Sequence, residues 1–306
     1  IKVDKDYYLL SVPAVFEMTF NATTWYYKIK DDILKIEVAI DVKKHVLKFK
    51  ARSLKQIRYD FILVNHLAMG NDDYTHPIHA HVKDKQVSFT FDPSTLSYKL
   101  YPEYHYVTNI ETDGAYEVFS DEIFYQDQKS RNNPLLSYKL TQSSTLSFTI
   151  FGFTSSEESF ETGSIEKMKE NYLAQHEQNL NHFHLELNQD HEQSNEIEKF
   201  NILCKWFVHN ALIHYGSPHG LEQYGGGGWG TRDVCQGPIE LFETFTRYDL
   251  VKATLLKVYE RQFFETGDWP QWFLKDKFSY IQADSSHGDI IVWPLLALAK
   301  YINATG

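Results

Sequence analysis

Leu34-Lys-Ile-Glu-Val-Ala-Ile40 alternates apolar with polar side chains almost throughout. That period of two belongs to a half-buried β-strand, because successive side chains of a strand point to opposite faces. Leu146-Ser-Phe-Thr-Ile150 repeats the pattern over a hundred residues later. Between and around these two stretches, short segments rich in Val, Ile, Phe and Tyr recur at Val15–Phe20, Trp25–Lys30, Ile33–Ile40, His45–Ala51, Ile57–Val64, Gln86–Phe91, Ala115–Phe119, Leu136–Leu140 and Thr145–Phe151. Turn residues such as Lys30-Asp-Asp and Gly70-Asn-Asp-Asp separate them. So many strands without an intervening helix predict a large antiparallel β-sandwich over residues 1–155.

The period changes after Thr154. Ser155–Glu161 is a polar junction, and Ser164–Asn181 and Glu196–Tyr215 have helical periodicity. In the second, Phe200, Leu203, Phe207, Ala211 and Tyr215 recur three or four positions apart. A third helix is predicted over Pro238–Phe264, with Pro238 suited to a first turn, and a fourth over Asp289–Ile302. The domains expected are therefore the sandwich, a helical linker over 156–195 and a helical body over 196–306. Between the third and fourth helices, Glu265–Gly288 lacks a period but carries Trp269, Trp272, Phe273, Phe278 and Tyr280. A loop of that length inside a compact domain is usually functional.

Composition narrows the partners. With 41 acidic against 30 basic residues the net charge is −11, which argues against nucleic acid or an anionic membrane as the main partner. No apolar run approaches the roughly 18 residues of a membrane span. The two cysteines, Cys204 and Cys235, offer no disulfide framework, and reduced thiols in a cytoplasmic protein are expected. The chain starts at Ile1 rather than at Met, so an N-terminus further upstream is expected.

The chemistry concentrates in Tyr224-Gly-Gly-Gly-Gly-Trp-Gly-Thr-Arg-Asp-Val-Cys-Gln-Gly-Pro238. A folded domain keeps a glycine run where backbone bends sharply or approaches something closely. The loop delivers Trp229, Arg232, Asp233 and Gln236, an aromatic face with a forked cation, a carboxylate and an amide. That set suits a neutral polyhydroxylated ligand such as a sugar. Arg232 and Asp233 read either as a hydroxyl clamp or as a local ion pair fixing the loop, and Gln236 either joins the clamp or caps the next helix. Five of the six tryptophans lie between 206 and 293. Trp206 and Trp293 sit at apolar helical spacing, which suits packing, whereas Trp229 sits in the loop. No Gly-Lys-Ser/Thr follows the glycines, which counts against a nucleotide site. His76-Pro-Ile-His-Ala-His81, near Asp72 and Asp73, invites a metal reading, but surface histidines explain it better, and no metal is expected. Cys235 has no identifiable base beside it.

Trp229-Gly-Thr-Arg-Asp-Val-Cys-Gln-Gly-Pro resembles the Arg-Asp-x-x-Gln signature of glycoside hydrolase family 94, the inverting glycoside phosphorylases. Glu265-Thr-Gly-Asp-Trp-Pro-Gln-Trp resembles the family's Glu-Gly-Asp-x-Gln-His-Trp segment, and Ser285-Ser-His-Gly-Asp-Ile-Ile-Val-Trp-Pro-Leu its Ser-Asp-Asp-Leu-Leu-Trp-Leu-Pro segment. Within the family, the first string is most similar to enzymes acting on β-1,2-linked glucooligosaccharides. The resemblance implies a β-sandwich, a linker helix pair and an (α/α)6 barrel. It also implies a glucose subsite built by Arg232, Asp233 and Gln236, with Trp229 and Asp289 beside them. Many members carry Asp directly after the Gln, where this chain has Gly237.

The activity implied is attack of inorganic phosphate, as co-substrate, on the anomeric carbon, with one carboxylic acid protonating the leaving oxygen. No cofactor is implied; the partners are the oligosaccharide and phosphate, and a homodimer is frequent in the family. Members hold the acid in a Trp-Asn-Asp segment that this chain lacks, so the catalytic residue is unassigned and expected beyond Gly306. Twelve helices of about 11–12 residues also need well over 150 residues, and only 110 follow Glu196. The expectation is a sandwich followed by the first part of an incomplete barrel, inactive alone. A catalytically dead carbohydrate-binding chain and a hydrolase on the same barrel are the alternatives.

Overall fold

The computed structural model describes residues 1–67, 79–83, 86–154, 161–187, 194–215, 228–286 and 288–306. The chain divides into two compact units, Ile1–Gln175 and His176–Gly306. The sequence-derived boundaries at 155 and 195 fall in or beside stretches outside the described residues.

Among its described residues the first unit holds thirteen strands: β1 (Lys2–Val3), β2 (Asp6–Tyr7), β3 (Val15–Thr19), β4 (Ala22–Ile29), β5 (Asp32–Ile40), β6 (Val46–Ser53), β7 (Tyr59–His66), β8 (His79–Lys83), β9 (Gln86–Thr90), β10 (His105–Thr112), β11 (Ala115–Phe119), β12 (Leu135–Ser143) and β13 (Thr145–Phe153). A short helix α1 (Leu96–Leu100) follows β9. All pairings are antiparallel. They build an eight-stranded sheet, β3-β4-β5-β6-β13-β10-β9-β8, and a five-stranded sheet, β11-β12-β7-β1-β2.

Alternation explains the layers. Leu34, Ala51, Val87, Phe89, Ile110, Leu146 and Phe148 of the large sheet share one buried cluster with Tyr59, Phe61, Leu136, Tyr138 and Leu140 of the small one. A hydroxyl pair spans this core: Tyr138 Oη and Thr108 Oγ1 lie 2.7 Å apart, both buried. On the other face of the large sheet, Ala22, Ala39, Val46 and Phe151 pack against Ile165 and Met168 of α2 (Ile165–Leu180). Asn21 Nδ2 ties this layer by donating to Ile40 O and Met168 O.

Connections between the two sheets converge on one carboxylate. The β10–β11 turn carries Asp113, and the β12–β13 turn carries Ser143 and Ser144. Asp113 accepts from Ser143 Oγ (3.0 Å), Ser144 N (2.9 Å), Ser144 Oγ (2.7 Å) and Thr145 N (3.2 Å). From the β6–β7 connection, Arg58 Nη1 donates to Asp113 O and Gln142 O. A second anchor, Asp121, accepts from Ser130 Oγ, Arg131 N, Asn133 N and Asn133 Nδ2 and so holds the loop from β11 to β12.

Burial alone would push both carboxyls up. The hydrogen bonds outweigh it and hold Asp113 and Asp121 well below the usual carboxylate range. Groups with a depressed folded-state pKa stabilise fully above their unfolded value, about 3.9 for Asp, and lose that contribution as pH falls below it. The urea midpoint is therefore expected to fall between pH 7 and pH 3. An unchanged midpoint would remove these carboxylates as the anchors.

The second unit contains α3 (Ser194–Tyr215), β14 (Trp229–Gly230), α4 (Thr231–Cys235), α5 (Gly237–Thr244), α6 (Tyr248–Tyr259), β15 (Trp272–Phe273) and α7 (Val292–Thr305). The single helix expected over Pro238–Phe264 is two helices. Thr246 takes φ 56°, Thr246 N donates to Glu243 O and Arg247 N to Phe242 O. This is a Schellman ending with Thr in the left-handed position usually held by Gly. Arg247 then pairs with Asp249 at the start of α6. No helix among the described residues is long and apolar enough to cross a membrane.

Candidate functional site

The three stretches singled out in the second half of the sequence are stitched together by backbone. β14 pairs with β15, setting Trp229 opposite Phe273 and Gly230 opposite Trp272. Thr231 N donates to Gln271 O, Ala283 N to Trp272 O and Gln271 N to Ser285 O. Thr231 Oγ1, fully buried, adds a bond to Pro270 O. This small ribbon holds α4 next to the turn that opens α7.

The result is a contact between residues 57 positions apart. Arg232 Nη1 lies 3.4 Å from Asp289 Oδ1. Trp293 Nε1 donates to Asp289 Oδ2 at 2.9 Å. The Trp293 bond first, and Arg232 with it, hold the Asp289 carboxyl below its ordinary value. Both members of the pair are about half exposed, at 46% and 54%. Ion pairs this open contribute about 0–1 kcal/mol, so stability gives little reason for the arrangement, and its donors and acceptor face solvent.

Arg232 and Asp233, adjacent in sequence, do not pair with each other. Asp233 is half-buried on α4, and Gln236 occupies the junction between α4 and α5. Gln236 stands at the cap position of α5 but its side chain makes no cap bond. Neither side chain carries a hydrogen bond or ion pair among the described residues.

Trp229 departs from the expectation of a loop-borne platform. It is 1% exposed and packs with Val234, Ile239, Val251, Phe273 and Ile290 in the core of this unit. Strand pairing turns its ring inward, so it supports the site from beneath. The Gly225–Gly227 part of the glycine run lies outside the described residues. Trp293, read from its spacing as a packing residue, also orients Asp289. The available signal was its place four residues after Asp289, one helical turn on.

Gly237, where the resemblance implies Asp, has a packing reason. A Cβ there would lie 2.3 Å from Cζ and 2.8 Å from Oη of Tyr215. The Tyr215 phenol fills the space that a side chain at 237 would need.

Cys235 is not a nucleophile in waiting. Burial, and after it Asp233, push its thiol up to about 12. Thiol labelling of the native protein at pH 8 should modify the partly exposed Cys204 and spare Cys235 until denaturant is added. Rapid native labelling of Cys235 would contradict its placement. Among the described residues no group of three His, Cys, Asp or Glu could hold a metal. His76, Asp72, Asp73 and the side chain of His79 lie outside them.

Residues 1–152 match the family model of the glycoside phosphorylase supersandwich domain. Over all 306 residues the chain is 32% identical to the 1,2-β-oligoglucan phosphorylase of Listeria innocua serovar 6a, of which it spans 27%. Among solved structures, one provisionally assigned as a kojibiose phosphorylase from the human microbiome aligns with 92% of this chain and 41% of its own, at 9% identity and TM-score 0.37. A bacterial glucoamylase complexed with acarbose aligns with 80% of this chain and 49% of its own, at 12% identity and TM-score 0.40. At those scores neither structural likeness carries an argument.

Proposed function

We propose that this chain, whose residues 1–152 match the glycoside phosphorylase supersandwich domain, is part of a phosphorylase that cleaves β-1,2-linked glucooligosaccharides with inorganic phosphate. The linkage follows the similarity to a relative named 1,2-β-oligoglucan phosphorylase. Phosphate adds to the anomeric carbon with inversion while the glycosidic oxygen leaves with a proton from a carboxylic acid. The products are α-glucose 1-phosphate and a glucan one residue shorter.

The observation that carries the site is the half-exposed Arg232–Asp289 pair, fixed by Trp293 and backed by Asp233 and Gln236, two polar side chains without a partner among the described residues. A glucosyl unit presents hydroxyls that both donate and accept. Arg232 donates, the two carboxylates accept, and Gln236 does either. In this reading the second unit is part of an (α/α)6 barrel. The apolar residues exposed on α3 (Phe200, Leu203 and Phe207) and on α7 (Leu295, Leu296 and Ile302) favour a larger helical body.

The test uses the full-length protein with β-1,2-glucooligosaccharides. Glucose 1-phosphate should form only when phosphate is supplied. Release of free glucose at the same rate without phosphate would replace this reading with a hydrolase.

A further inference from the structure

At one end of the sandwich, the β1–β2 turn, the β4–β5 turn, the β6–β7 connection and the end of β12 line a recess of about 550 Å³. That volume falls within the roughly 300–1,000 Å³ of small-molecule sites. The lining sets three cations, Lys2, Lys30 and Arg58, against three carboxylates, Asp4, Asp31 and Asp60. Charges that cancel favour neither an anion nor a cation as the ligand. Val3, Ile29 and Ile57 add apolar surface to the same recess, and Ile57 is 40% exposed.

One pair in this lining is held apart. Lys2 Nζ lies 4.0 Å from Asp60 Oδ2, too far for a hydrogen bond. Lys30, by contrast, closes on Asp4 at 2.7 and 2.8 Å. Asp60 Oδ1 accepts from Gln142 N at 2.9 Å and from Gln142 Nε2 at 3.3 Å, which leaves Oδ2 to face Lys2. Among the described residues neither Lys2 Nζ nor Asp60 Oδ2 has a hydrogen-bond partner. A hydroxyl set in this gap accepts from the ammonium and donates to the carboxylate at once. The recess is far larger than one water needs, so the hydroxyl can belong to a bigger molecule whose C–H face lies on Ile57.

The backbone points the same way. Asp4, Lys30 and Gln142 take φ of 57°, 51° and 52°, a left-handed conformation uncommon outside glycine. Glycine would adopt it without the steric cost. At each of these three turns the chain instead keeps a polar residue, and all three line the recess.

We propose that this recess is an accessory binding site for a neutral oligosaccharide. One sugar hydroxyl bridges Lys2 and Asp60, and the ring rests on Ile57. That the sugar is a β-1,2-linked glucan rests on the phosphorylase reading above. The sandwich then holds the glucan at a point of its own, in addition to the site at Arg232.

The experiment is calorimetry on the full-length protein, without phosphate, titrated with β-1,2-glucooligosaccharides. The Arg232→Ala variant, weakened at the site in the second unit, should still bind sugar. Adding Lys2→Met, which removes the bridge, or Ile57→Trp, which fills the recess, should lower that remaining affinity about tenfold with the melting temperature unchanged. The two variants act on different elements, β1 and the β6–β7 connection, so a folding defect in one leaves the other as the test. Loss of all sugar binding with Arg232→Ala alone, or an affinity unchanged by both recess variants, overturns the proposal. Sulfate binding tighter than sugar binding, and abolished by Lys2→Met, would make the recess an anion site and overturn it as well. If the full-length protein forms no glucose 1-phosphate, the functional reading fails instead. Titration with β-1,3- and β-1,4-linked glucooligosaccharides then still decides whether the recess takes a neutral sugar.

Discussion

Replacing Arg232 by Ala in the full-length protein is expected to lower kcat/KM for β-1,2-glucooligosaccharides by about a hundredfold while leaving the melting temperature unchanged. The two expectations come from one observation. Arg232 is half exposed, and among the described residues its side chain is tied by a 3.4 Å contact with Asp289 alone. Removing such a pair costs the fold about 0–1 kcal/mol. Hydrogen bonds between a charged group and a ligand contribute more, roughly 1.5–3 kcal/mol each, and a forked guanidinium makes two. A loss near 3 kcal/mol corresponds to about two powers of ten in kcat/KM. Lys at this position should recover little, because a point charge does not reproduce the fork. Asp289→Asn should have a milder effect, since its amide oxygen still accepts from Trp293 Nε1. Undiminished turnover by Arg232→Ala would end the clamp role. A large drop in melting temperature would make Arg232 a structural residue.

The strands were legible where side chains alternate strictly. Leu34–Ile40 and Leu146–Ile150 lie inside β5 and β13, and Ala115–Phe119 coincides with β11. The alternation failed at β10, whose middle reads Val107-Thr-Asn-Ile110. There Thr108 is buried at 1% because Tyr138 and Val87 O satisfy its hydroxyl, and that partner is 30 residues away in sequence. β1 and β2, two residues each, exist only through their partners and leave no periodic trace. The break at Phe245–Arg247 was hidden for a different reason: its left-handed residue is Thr, which carries no sequence signal for a helix end.

The site was legible as a set of segments but not as a constellation. Arg232 was placed in its signature, and Asp289 in another, from local motifs alone. Their contact depends on the β14–β15 ribbon, whose strands are only two residues long. Of the two readings of Arg232 and Asp233, the local ion pair is the one that helix geometry opposes, since adjacent residues on a helix point in different directions. Trp229 was misplaced because a glycine-rich approach suggests exposure, whereas strand pairing turns its ring into the core.

The second large effect is expected at Gly114, in the turn from the eight-stranded to the five-stranded sheet. An Ala Cβ at this position would stand 2.4 Å from Thr141 O and 2.9 Å from Gln142 O. Both obstacles are backbone, and neither is free to yield. Gln142 N is held by Asp60 Oδ1, and Gln142 O accepts from Arg58 Nη1. The register of β12 against β7 shifts between Leu140 and Ser143 at the same point. Asp113, one residue before the glycine, fixes the turn to Ser143, Ser144 and Thr145. Relief would require the β10–β11 turn to move away from β12 and break those bonds. Overpacking of this kind costs about 1–3 kcal/mol, and the rigid surroundings place Gly114→Ala at the upper end. The melting temperature of the sandwich should fall by about 5 °C or more. Gly152→Ala in β13 is the matched control, because its Cβ would meet nothing closer than 3.4 Å, at His45 Cβ and Tyr106 Cε1. A Gly114→Ala protein that melts with the parent would mean that the two turns are not locked together as Asp113 and Arg58 arrange them.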